Sequence, residues 1–146
     1  TALNPASHLL TAGQQKNSIA TISIPSTVPQ GSYSLVTSVV NRLNPAMKIV
    51  KNITISIDKT APSIPTGLTA TLASSSSVRL NWNASTDNIW MGSYRIYRNN
   101  ILIATTSATT FLNSGVVRGT YTYKIIATDA AGNQSLASAV RTITVP

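Results

Sequence analysis

The sequence has no cysteine, one histidine and three acidic side chains in 146 residues, and all three acids are aspartate. Neither a disulfide framework nor a thiolate metal site can be built from it. His8 is the only imidazole, and the carboxylates are Asp58, Asp87 and Asp129, so no His-supported nucleophile and no Glu pair can be assembled from separate strands. His8 stands beside Leu9 and Leu10 and reads as a surface or strand residue rather than a base. Catalysis is therefore not expected. Helical signal is missing as well, since no stretch of ten or more residues carries a period of 3.6. No apolar run approaches the ~18 residues of a spanning helix. With no initiator Met and no signal peptide at Thr1, the chain reads as a mature product or a piece of a longer secreted one.

What is present is Ser, Thr, Val, Ile and Asn in short strand-like runs, which makes this an all-β chain. Eleven Lys and Arg against three Asp give a formal charge of +8. The basic residues are scattered singly and never form a run of five, and neither a recognition helix nor a stacking motif accompanies them, so nucleic acid is not expected as a partner. Such a field suits anionic cell-surface polymers or an acidic patch on a neighbouring subunit. Absence of Cys fits a surface protein as well as a cytosolic one, and it is the Thr/Ser-rich, Lys-poor style that favours the outside of a cell or its surface.

Residues 59–146 carry a complete succession of strand signals. Thr60 to Ala70 includes Pro62 and Pro65, which block helix and favour extended backbone before a first edge strand. In Val78-Arg79-Leu80-Asn81-Trp82, alternation puts Val78, Leu80 and Trp82 on the core face. The polar loop from Ala84 to Asn88 leads to Gly92 through Asn100, a strand ending in an Asn-Asn turn that tolerates positive φ. Ile101 to Thr106 and Thr109 to Leu112 follow as short strands, and then Tyr121 to Ser135. This order, above all Tyr121-Thr122-Tyr123-Lys124-Ile125-Ile126-Ala127-Thr128-Asp129-Ala130-Ala131-Gly132-Asn133, resembles the fibronectin type III modules of bacterial secreted proteins. The resemblance implies a seven-strand sandwich with Tyr121 at the tyrosine corner. Two departures stand out: the Phe111-to-Tyr121 connection is about one residue short of the usual form, a trimming that surface loops tolerate, and Trp90 and Met91 replace the small residues usual in the Asp87-to-Gly92 loop.

Residues 1–58 hold four strand-like runs: Ser7 to Thr11, Ser18 to Ile24, Gly31 to Val40 and Lys48 to Ile57. The last places Ile49, Ile53, Ile55 and Ile57 on one face. Leu10 to Gln15, Ile22 to Pro25 and Val28 to Leu35 resemble the later strands of bacterial immunoglobulin-like domains, so this unit reads as the C-terminal part of such a domain. Its apolar face, with Ile22, Ile24, Tyr33, Leu35, Val39, Ile53, Ile55 and Ile57, needs a cover. An upstream half, the type III module or a strand from another chain could each supply it. Asp58 to Pro65 forms a Pro-stiffened boundary.

The expectation is thus tandem β-sandwiches, a partial immunoglobulin-like half-sandwich (1–58) followed by a complete seven-strand type III sandwich (59–146). The chain is expected to be a non-catalytic spacer of a bacterial extracellular protein, with protein partners in the form of a neighbouring domain or an identical subunit. The alternatives are a filament or surface-array subunit joined by strand sharing, and an accessory polysaccharide-binding module. No cofactor is expected. Contact residues are Trp90, in a loop where it either stands exposed, unlike the core Trp82, or folds back to plug the sandwich end, and Arg95, Tyr97, Lys124 and Ile126, which alternation sends to the outer face of adjacent strands. The topology implied by the resemblance brings Asp87 and Asp129 to the same end, beside Asn88 and Asn133. Turn-fixing by their own backbones is the reading adopted for them, and no metal is expected, since calcium needs six or more oxygens.

Overall fold

A computed structural model describes residues 24–40, 44, 46 and 48–146. The expected strand Ser7 to Thr11, most of Ser18 to Ile24, and the residues His8 and Ile22 lie outside the described residues. Among the described residues there are nine strands and no helix. They are β1 (Gly31–Val40), β2 (Lys48–Ile57), β3 (Thr69–Ser74), β4 (Ser77–Asn81), β5 (Met91–Arg98), β6 (Ile101–Thr106), β7 (Thr110–Ser114), β8 (Gly119–Asp129) and β9 (Arg141–Val145).

β1 and β2 pair antiparallel in one unbroken register from Gly31↔Ile57 to Val40↔Lys48. Direct opposition puts Tyr33 beside Ile55 and Leu35 beside Ile53, so the apolar residues share one face as the period of two requires. That face is incompletely covered: Tyr33, Ile49 and Ile53 are exposed, and Leu35, Ile55 and Ile57 are half-buried.

The seven strands expected after residue 59 are all present, in two antiparallel sheets. One has the order β3-β4-β7 and the other β6-β5-β8-β9. The alternating side chains of each sheet meet between them, as in an aligned sandwich. Val78, Leu80 and Trp82 from the smaller sheet face Tyr94, Ile96, Tyr123, Ile125 and Ala127 from the larger, all buried together with Leu68, Val116 and Val145. Trp82 and Tyr94 meet edge to face with ring centroids 5.4 Å apart. The hydroxyl of Tyr94 accepts the amide of Ser85 at 2.8 Å, and that of Tyr123 accepts Asn113 Nδ2 at 2.8 Å. The two tyrosine hydroxyls are thus satisfied, whereas the buried Trp82 Nε1 has no hydrogen-bond partner.

Turns close the sandwich as their residues dictate. Asn99 and Asn100 both adopt positive φ (49° and 65°), making the tight β5–β6 turn. Tyr121 donates its hydroxyl to the Val117 carbonyl at 2.9 Å, the tyrosine corner expected from sequence. Tyr33 does the same to Pro29 at 2.9 Å. In both, a glycine with φ of 155° precedes the tyrosine by two residues, Gly119 and Gly31.

Only the first half of β8 has β9 as a partner. Beyond it, the amides of Ile125 and Ala127 are taken by the hydroxyls of Ser138 and Ser135, both at 3.0 Å, while their carbonyls accept the Ser138 and Ser135 amides. Two serines thus complete the sheet where a strand does not. The Pro-rich boundary is also part of the sandwich: Pro62 and Pro65 are buried, and the Ser63 amide donates to the Thr86 carbonyl at 2.9 Å.

Candidate functional site

The five contact residues expected from sequence fall in two places. Arg95, Tyr97, Lys124 and Ile126 sit together on the outer face of the larger sheet, because β5 and β8 pair with Arg95 opposite Ile126 and Tyr97 opposite Lys124. All four are half-buried. The Lys124 ammonium lies 5.7 Å from the centroid of the Tyr97 ring, so the basic and aromatic groups of this face engage each other. Trp90 is elsewhere. It immediately precedes β5, whereas Tyr97 lies six residues along that strand from Met91, roughly 20 Å at the strand rise.

Trp90 is 73% exposed. With Ile89, Ala130, Ala131, Ser56 and Asp58 it lines a shallow cleft of about 220 Å³ where the exit from β2 meets two loops of the sandwich. Met91, its neighbour, turns inward and packs against the core. The loop is held by Asp87, whose Oδ2 accepts the amides of Ile89 (3.0 Å) and Trp90 (2.9 Å). Asp129, at the end of β8, is 4% exposed; its Oδ1 accepts the Asn133 amide at 2.8 Å and its Oδ2 accepts Asn133 Nδ2 at 2.7 Å. Both aspartates order their own turns, as their residue type favours.

A third carboxylate joins them. Asp58 presents an oxygen to the same spot, so that Asp58, Asp87 and Asp129 each place one carboxylate oxygen within 4.8 Å of the other two. Asp58 is fixed by the Thr60 amide (3.0 Å) and Asn88 Nδ2 (3.4 Å) on Oδ1, and by Asn133 Nδ2 on its carbonyl (3.2 Å). On the other side of the junction, Gln30 Oε1 accepts the Lys59 amide and the Thr60 hydroxyl at 3.2 and 2.8 Å. Sequence reasoning paired Asp87 with Asp129 but missed Asp58, whose placement depends on the course of the linker. The one signal available was that these three residues are all the acids the chain has.

Gly92 explains how the two loops come so close. A Cβ on it would lie 2.6 Å from the Asp129 carbonyl oxygen, and β5 shifts register against β8 at this position. Only glycine lets the strands approach here.

Two packed antiparallel sheets of three and four strands in this order, closed by a tyrosine corner, define an immunoglobulin-type sandwich. The strands β3 to β9 have the fold of a fibronectin type III module, and the relatives that match this part of the chain are bacterial. No family model matches the chain. Among curated proteins it is similar to an α-amylase of Niallia circulans (48% identical over 90 residues, 61% of this chain and 7% of that protein) and to chitinase Chi52 of Paenibacillus xylanexedens (44% over 88 residues, 60% and 17%). It is also similar to a poly(3-hydroxybutyrate) depolymerase of Ralstonia pickettii (40% over 80 residues, 54% and 16%). The chain spans less than a fifth of the length of each. Among solved structures, chitinase ChiA74 from Bacillus thuringiensis superposes with a TM-score of 0.54 at 31% identity over 62% of this chain and 15% of that one. The sixth fibronectin type III domain of a human protein shares the fold, with a TM-score of 0.51 at 16% identity over 62% of this chain and 91% of that domain. No helix among the described residues is long and apolar enough to cross a membrane.

Proposed function

We infer that this chain is a non-catalytic spacer segment of a bacterial extracellular protein, separating or linking domains that do the chemistry. One observation carries the reading. The same module-sized match occurs in proteins named for hydrolysing starch, chitin and a polyester, so the shared segment is not what selects the bond to be broken. The residue inventory agrees: with one His and three Asp, the latter gathered at one junction, the module offers no acid–base pair of glycosidase or esterase type.

A second reading, accessory polysaccharide binding, rests on Trp90, whose exposed ring could stack on a sugar face. A polyester-degrading relative argues against a role specific to sugar. The deciding experiment is retention of the 146-residue chain on insoluble starch, chitin and cellulose. The spacer reading expects no retention above a protein of equal charge. Retention that Trp90→Ala abolishes would replace it with the binding reading. A third reading, strand sharing between subunits, is favoured by the exposed apolar residues of β1 and β2, and it requires the chain to be oligomeric by sedimentation at micromolar concentration.

A further inference from the structure

We propose that Asp58, Asp87 and Asp129 form a binding site for one calcium ion, which fastens the segment leaving β2 to two loops of the type III sandwich. The turn-fixing roles described above account for only part of these side chains. Asp87 Oδ2 receives two loop amides, but Asp87 Oδ1 is buried and has no hydrogen-bond partner. A buried carboxylate oxygen without a donor is an unmet need that a cation satisfies.

The charges lead to the same place. Three carboxylates, one of them 4% exposed, converge to within 4.8 Å, where like charges repel. Among the described residues, no Lys or Arg forms an ion pair with any of the three. Lys59, next to Asp58, instead directs its ammonium to the Ser26 carbonyl at 2.7 Å. Acceptors are also in excess of donors: Asn133 Nδ2, with two hydrogens, lies within 3.4 Å of Asp129 Oδ2 and the Asp58 and Thr60 carbonyls.

The donor set selects the ion. It consists of oxygen alone, without imidazole or thiolate, which suits a hard cation rather than zinc or copper. Oxygens up to 4.8 Å apart can share one ion at calcium's contact distance of about 2.3–2.6 Å. Carbonyls and water would complete six to eight ligands. This replaces the expectation, drawn from sequence, that the loops hold no metal. The difference is Asp58, the third carboxylate, which the linker delivers.

The test uses the 146-residue chain after dialysis against a chelator, titrated with calcium chloride in a calorimeter. One site per chain is expected, with Kd near or below the ~10⁻⁴–10⁻³ M typical of extracellular modules, together with a higher melting temperature in calcium. Terbium luminescence excited through Trp90, which borders the cleft beside Asp58, should appear on loading and be displaced by calcium. Asp58→Asn should weaken binding by more than ~10-fold. It lies on the linker rather than in the sandwich core, so its folding is not in question. Asp87→Asn should act alike. No heat and no melting shift up to ~10 mM calcium would overturn the proposal, as would unchanged affinity in Asp58→Asn. Magnesium binding as tightly as calcium would overturn the choice of ion. None of these outcomes depends on whether the chain is a spacer.

Discussion

Two hairpins in this chain begin in the same way and end differently. Gly31-Ser32-Tyr33 opens β1 and Gly119-Thr120-Tyr121 opens β8, each with the glycine at φ 155° and the tyrosine hydroxyl on the carbonyl four residues back at 2.9 Å. Each strand then pairs antiparallel with the one that follows it in the chain. Around β8 the alternating side chains are sealed: Tyr123, Ile125 and Ala127 have no exposure. Around β1 they are not, and Tyr33 and Ile53 keep 38% and 40% of theirs. The corner is a local device that a few residues can specify, whereas burial needs a second layer. The β1–β2 pair thus opens with the same local geometry as the last strand pair of the sandwich.

The comparison can be broken most severely through the core. Ile96→Ala should cost about 2–5 kcal/mol in denaturant unfolding because it empties space beneath β8, while Ile53→Ala in β2 should cost less than about 1 kcal/mol. Equal losses would mean that the first hairpin has a core of its own. Gly92→Ala comes next, at about 1–3 kcal/mol, because its Cβ meets backbone rather than a side chain that can move aside. Ser138→Ala should cost a similar 1–3 kcal/mol or so, since it orphans the buried Ile125 amide. The expected signature is faster hydrogen exchange at Ile125 with exchange in β1 unchanged. Tyr121→Phe and Tyr33→Phe should each lose about 1 kcal/mol or less, since both hydroxyl bonds are open to water. Trp90→Ala, at an exposed ring, should stay within about 0.5 kcal/mol by thermal melting.

The strands were legible because a period of two with one buried face leaves little freedom of register. Trp82 shares a face with Val78 and Leu80, and all three are core. Tyr121 was legible through its family resemblance. Its twin Tyr33 stands in a Gly-x-Tyr of the same spacing, but so does the core residue Tyr94 after Gly92, so the motif alone does not mark the corner. Other features had no local signature. Ser135 and Ser138 look like loop residues until the half-length of β9 shows that β8 needs them. Pro62 and Pro65 read as linker stiffeners, yet both are buried against the sandwich, which depends on where the chain enters. Arg95, Tyr97, Lys124 and Ile126 were correctly placed on one face by alternation, but the Lys124–Tyr97 contact depends on side-chain reach that alternation does not encode. For Trp90 the sequence left exposure and a plug of the sandwich end both open; the ring is exposed, and its distance from that face follows from the length of β5.

The first and last strands of the module touch, although they belong to different sheets, and Arg141 Nε donates to the Leu68 carbonyl at 2.6 Å across the gap. Tension applied along the chain meets the sandwich first at the Ser63–Thr86 and Asn83–Thr66 backbone bonds and leaves through β9, so the Arg141 contact lies between the two points of load. The guanidinium bond and the five residue pairs of the β8–β9 ladder would share that load with the core side chains Leu68 and Val145. The module would resist stretching at its seam, and its breaking strength would depend in part on a single arginine.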